Sequence, residues 1–85
     1  MGITTKRKRY KYVVYTRITC DEEWVFATKE KEFKTKTEAI EYLIQRCEED
    51  IEKYKLDLDE IAIDELAFEN LKINSITWIQ KQSVV

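Results

Sequence analysis

Twelve carboxylates fall within residues 38–69 against three cations, a net of −9 in a chain whose overall net charge is −2. Carboxylates at that density could do three kinds of chemistry: proton transfer, cation binding, or recognition of a basic surface. Proton transfer needs a group that titrates near neutrality, or a carboxylate pair held in a cleft. The chain has no histidine. Glu38, Glu41, Glu48, Glu49 and Glu52 recur at helical spacing, which sets them on an outward face and not in a cleft. Cation binding is suggested by "DLDEIAIDEL", residues 57–66. Counted from Asp57, however, a calcium loop would need an oxygen ligand at 61, glycine at 62 and glutamate at 68. The sequence has Ile61, Ala62 and Phe68 there.

Other reactive groups are sparse. The two cysteines, Cys20 and Cys47, supply too few ligands for a structural zinc site. Cys47 falls on an apolar stripe, and Cys20 stands beside three acids that disfavour its thiolate. The only glycine is Gly2, so a glycine-rich phosphate loop is excluded. The expectation is a non-enzymatic protein with no cofactor and no metal.

Recognition is the chemistry that remains. Rows of carboxylates can imitate a phosphate backbone and dock into the basic site of a nucleic-acid-handling protein. Glu41, Glu48, Glu49 and Glu52, with Asp57 and Asp59, are the residues expected to form that acidic surface. The first 37 residues have the opposite character, with ten Lys/Arg against five Asp/Glu, a net of +5. There "KRKRYKYVVY" interleaves cations with aromatics, a composition that contacts phosphates and stacks bases. An alternative nucleic-acid contact would use Lys6, Arg7, Lys8, Arg9, Lys11 and Arg17. A plainer reading makes the same cations guards of a sheet edge. Self-association through an exposed edge is a third.

These groups must be carried by a small set of elements. Residues 1–8 read as a flexible basic arm. Residues 9–19, rich in Tyr, Val, Thr and Ile, read as a strand, with Tyr10, Tyr12, Val14, Thr16 and Ile18 on one face. A turn at 20–23 leads to a second strand, 24–33. A loop of Asp21 and Glu22 would set Lys11 opposite Glu32; a loop one residue longer would pair Ile18 with Phe26. "TKTE", Thr35 to Glu38, fits a capping box. Behind it Ile40, Leu43, Ile44, Cys47, Ile51 and Tyr54 form one apolar stripe on a helix of about 37–55. In 55–71 Leu, Ile and acid positions fit either period. Leu58, Ile61, Ala62 and Leu66 after Asp57 favour a short second helix near 58–69. Residues 72–82 read as the last strand.

The fold class expected is therefore α+β: a single β-β-α-(α)-β domain over 9–85. A three-stranded antiparallel sheet would carry the long helix 37–55 on one face, with the last strand beside the first. "FKTKTEAIEYL", following a hairpin, resembles the sheet-plus-helix modules of phage integrase arm-binding domains, over less than half of the chain. That resemblance implies a third strand before the helix, which the sequence lacks, and no functional residue is carried across.

With 85 residues and ten aromatics, the chain suits one folded domain. No segment approaches the roughly 18 apolar residues that span a bilayer, and Lys11 and Arg17 interrupt any signal-like run, so a cytoplasmic setting is expected. The Lys/Glu/Ile-rich composition looks like that of small proteins carried by phages or mobile elements. That likeness implies an inhibitor of a host nuclease or defence protein.

Overall fold

The computed structural model describes residues 9–18 and 27–84. The expected arm at 1–8, the first turn at 20–23, Cys20 and the start of the second strand lie outside them. The elements are β1 (Arg9–Ile18), β2 (Thr28–Phe33), α1 (Lys36–Tyr54), β3 (Ile61–Asp64), β4 (Ala67–Asn70) and β5 (Ser75–Val84), with a 3-10 turn at Leu58–Glu60. All strand pairs are antiparallel, in the order β2-β1-β5-β4-β3. The expected three-stranded sheet is thus corrected to five strands. The segment expected to be a second helix, 58–69, supplies β3 and most of β4 instead.

The reason lies in what each conformation could bury. The helix-start signal at Asp57 is real: Glu60 Oε1 accepts the Asp57 N–H at 3.0 Å, and the Glu60 N–H bonds Asp57 O at 3.0 Å. But the turn ends after three residues and leaves Leu58 95% exposed. From Ile61 onward the period is two. Phe68 and Asn70 are buried on one face, while Glu69 between them is exposed. A lone helix of this length is marginal on propensity alone. A hairpin added to β5 satisfies its backbone and seats Phe68 in the core, worth about 1.5–3 kcal/mol for that side chain.

β1 is central to the assembly. It pairs with β5 over its whole length, from Arg9↔Val84 to Ile18↔Ser75, and with β2 on its other side. Val13 and Val14 are both fully buried although they point to opposite faces. The β1–β2 register differs from the expected one. Glu32 lies opposite Val13, not Lys11, and a bulge falls where Val14↔Lys31 is followed by Tyr15↔Lys29. Glu30 is the extra residue. Lys11 still reaches Glu32 on the diagonal, Nζ to Oε1 3.0 Å.

α1 begins at Thr35, an extended N-cap whose Oγ1 accepts the Glu38 N–H at 3.3 Å. The reciprocal half of the box differs from expectation, because the Glu38 carboxylate takes the Thr35 hydroxyl at 2.8 Å. The helix ends on Lys55 in the left-handed region, φ 51°, and Lys72 Nζ caps the carbonyl of Tyr54 at 2.8 Å.

The core between α1 and the sheet comprises Val14, Ala39, Leu43, Cys47, Phe68 and Ile79, with Tyr12, Phe33, Ile40, Tyr42, Ile61 and Leu66 packed around it. The helix is rotated from the expected stripe. Ile44 and Ile51 are 52% and 37% exposed, while Asp50 is only 5% exposed. Among the described residues no helix is long and apolar enough to cross a membrane.

Candidate functional surfaces

The six acids expected to form one surface divide into three groups. Glu41, Glu48 and Glu52 stand at i, i+7 and i+11, close to whole helical turns, and share the solvent side of α1. All three are exposed, and none makes an ion pair among the described residues. Glu49 is turned toward the flank facing β2, where its Oε2 lies 3.6 Å from Arg46 Nη1. Asp57 and Asp59 sit on the 3-10 turn beyond the helix. With Glu60 they bring carboxylate oxygens within 4.8 Å of one another. Two of those three acids, Asp57 and Glu60, are already engaged in capping that turn, which accounts for the cluster.

The basic candidates lie on the other face of the sheet. Arg9, Lys11 and Arg17 alternate with the core-facing Val14 and so project from the side that α1 leaves open. Lys6, Arg7 and Lys8 lie outside the described residues. The open face also carries a stack of Tyr15 on Trp78, ring centroids 5.5 Å apart and 25° between planes. Gln82 Nε2 donates to the Tyr15 hydroxyl at 2.6 Å. The cations of this face are partly matched. Glu32 holds both Lys11 and Lys29, and their hydrogen bonds draw its carboxyl below the ordinary range.

Sequence reasoning missed the polar network under the helix. The bulge delivers Glu30 to the core face, where Arg46 Nε donates to Oε1 at 2.8 Å and the Tyr42 hydroxyl donates to the same oxygen at 2.9 Å. The Thr16 hydroxyl donates to Oε2. Its single hydrogen is thereby used, so in the 3.1 Å contact between Thr16 and Thr77 it is Thr77 that donates. Arg46 Nη1 continues to Asp50 Oδ1 at 3.1 Å, and Asn70 Nδ2 reaches Asp50 Oδ2 at 3.3 Å. One chain of bonds therefore ties β1, β2, α1 and β4.

The electrostatics of that chain favour fixed charge. Burial works against ionisation of Glu30, but the hydrogen bonds from Arg46, Thr16 and Tyr42 outweigh it and hold the carboxyl below its usual range. Burial likewise opposes the Arg46 charge, and the bonds to Glu30 and Asp50 overcome it and raise its pKa. Burial and the bond to Glu30 push the Tyr42 phenol up. Burial, with Asp50 and Glu48 nearby, raises the Cys47 thiol. Each shift moves the group away from proton exchange at neutral pH. The one sequence signal for this network was Asp50, an acid at i+7 from Leu43 on the core side.

A second feature absent from the sequence reading is an apolar groove of about 350 Å³ between α1 and the β3–β4 hairpin. Ile40, Ile44 and Ile51 lie about a quarter-turn round α1 from Ala39, Leu43 and Cys47, and so face it. Ile63, 72% exposed, stands on its far side.

No family model matches the chain, and no characterised protein or solved structure is significantly similar to it.

Proposed function

We propose that the protein is a small non-enzymatic binding protein of the phage or mobile-element inhibitor type. It would place the outer side of α1 in the basic site of a nucleic-acid-handling host protein. The observation that carries this reading is the row of Glu41, Glu48 and Glu52, exposed on one side of a 19-residue helix and in no ion pair among the described residues. At 1.5 Å per residue the three are spaced at axial intervals of about 10 and 6 Å. The row exists before any partner arrives, so binding need not order it, and its field accelerates encounter with a basic surface. The cations Arg9, Lys11 and Arg17 lie across the sheet from it and do not neutralise it locally.

Paired capture from a bacterial lysate tests this reading, with the wild type and a Glu41→Lys, Glu48→Lys, Glu52→Lys variant as baits. Basic nucleic-acid-binding proteins should be retained by the wild type, elute at modest salt, and be lost with the variant. Equal retention on both baits rejects the acidic-row mechanism.

The Tyr15–Trp78 stack between Lys11 and Arg17 supports a second reading, direct nucleic-acid contact on the open sheet face. A gel shift with duplex and single-stranded probes at two salt concentrations separates the two. The first reading expects no shift. The second expects one that weakens steeply with salt and is lost on deleting residues 1–9.

A further inference from the structure

The two edges of the sheet are unequal. β2 alternates Lys29, Glu30, Lys31 and Glu32 and carries the bulge, and both features obstruct the approach of another strand. β3, "IAID", has neither. Its bonding pattern follows from one contact: the Leu71 N–H donates to Glu60 O at 2.8 Å, which makes the Ile61–Asn70 pair non-hydrogen-bonded. By alternation Ala62 and Asp64 turn their backbone groups toward β4. Ile61 and Ile63 turn theirs toward the free edge.

Side chains alternate as well. Ile63 pairs with the core residue Phe68 and so projects on the helix side, where the apolar groove begins. Leu43, Cys47 and Phe68 are buried at the floor of that groove, and Ile44 and Ile51 are half exposed along its helix wall. Asp64, by contrast, projects on the open face beside Ala67. The charged residues that border the groove are Glu48, Glu65 and, with its side chain turned to the open face, Asp64, all acids.

We propose that β3 and the groove together receive one extended segment of a partner protein, in which apolar residues alternate with Lys or Arg. The segment adds antiparallel or parallel to β3, bonding the outward backbone groups of Ile61 and Ile63. Its apolar side chains enter the groove against Ile44, Ile51 and Ile63. The side chains between them fall on the open face, where Asp64 and the neighbouring Glu69 select cations. A second copy of this chain is a poor occupant, because it would bring Glu48, Asp64 and Glu65 against acids of the same kind. The proposal rests on the reading of a basic partner above and names the form in which that partner binds.

A synthetic peptide of four valine–lysine repeats, titrated into the isotope-labelled full chain and followed by NMR, tests it. The amides of Ile61 and Ile63 should shift and gain protection from hydrogen exchange, together with shifts of the Ile44 and Ile51 methyls. A valine–glutamate peptide should bind at least about tenfold more weakly, a difference of about 1.4 kcal/mol. Ile63→Thr should weaken the valine–lysine peptide by a similar factor, and its exposure lets the fold survive the change. Shifts confined to Glu41 and Glu52, the members of the acidic row that do not border the groove, overturn the groove while leaving the row standing. No shift at millimolar peptide overturns it too, as does a doubled mass in light scattering without peptide. Peptide binding at Ile61 and Ile63 alongside equal lysate capture by the charge-reversed bait sustains the groove and rejects the row.

Discussion

The side-chain amide of Asn70 donates to Asp50 Oδ2 at 3.3 Å, joining the end of β4 to the C-terminal part of α1 with both residues buried. The same asparagine accepts the N–H groups of Lys72 and Ile73 on its Oδ1, at 3.1 and 3.3 Å. One side chain thus closes the β4–β5 turn and sets the seat of the helix. Asp50 in turn steadies Arg46, so the turn, the helix and the bulge are coupled.

That coupling is measurable. Asp50→Ala and Asn70→Ala should each cost about 2–3 kcal/mol, since each leaves a buried polar partner unsatisfied. The double variant should fall short of the sum by about 0.5–2 kcal/mol. Urea unfolding of the four proteins checks both values.

Glu30 makes stability depend on acid. Its ordinary pKa is 4.5, and the folded value is lower. The stability it contributes is therefore complete above the unfolded value and is lost as pH falls through the folded one. The wild type should lose stability between pH 7 and pH 3. Glu30→Gln should be less stable at pH 7 and show a shallower loss over that interval, read by urea unfolding at the two pH values.

The rotation of α1 predicts an inverted cost for two neighbours. Leu43→Ala should lose about 2–5 kcal/mol, as a buried truncation. Ile44→Ala should lose less than about 1 kcal/mol, because its side chain is half exposed. Thermal unfolding ranks them directly.

The hairpin makes a similar contrast. Phe68→Ala should cost about 3–5 kcal/mol, and Leu58→Ala should lie within about 0.5 kcal/mol of the wild type. A helix over 58–69 would make Leu58 the costlier loss, so denaturant midpoints of the two variants discriminate the conformations.

Lys55 holds a left-handed conformation, φ 51°, that disfavours any residue with a Cβ. Lys55→Gly should stabilise the protein by about 0.5–1 kcal/mol after glycine's own entropic penalty. A higher denaturant midpoint at unchanged slope is the expected result.

α1 was legible because its signals are local: Thr35 at the cap and apolar residues at i, i+3, i+4 and i+7. Its rotation was not, because Ile40, Ile44 and Ile51 are as apolar as Leu43 and Cys47, and the sheet decides which of them is covered. The stretch from Ile61 to Asn70 was illegible for a related reason. Its residues suit both periods, its turn at Glu65 and Leu66 has neither asparagine nor glycine, and the deciding bonds are to β5, close in space but set by the sheet. The exposed acids could be named from the sequence one by one. Glu30 could not, since within "KEKE" it looks like any solvated strand charge until the bulge turns it inward.

The bulge also governs how this chain tolerates changes of length. Deleting one residue between Thr28 and Lys31 would restore a regular ladder and exchange the partners of Thr16, Tyr42 and Arg46, although no apolar core residue would be touched. Frame-preserving losses of a single codon in this short strand should therefore be as disruptive as truncating a core side chain, whereas a point substitution at the exposed Lys29, which pairs with Glu32 at the surface, should cost less than about 1 kcal/mol.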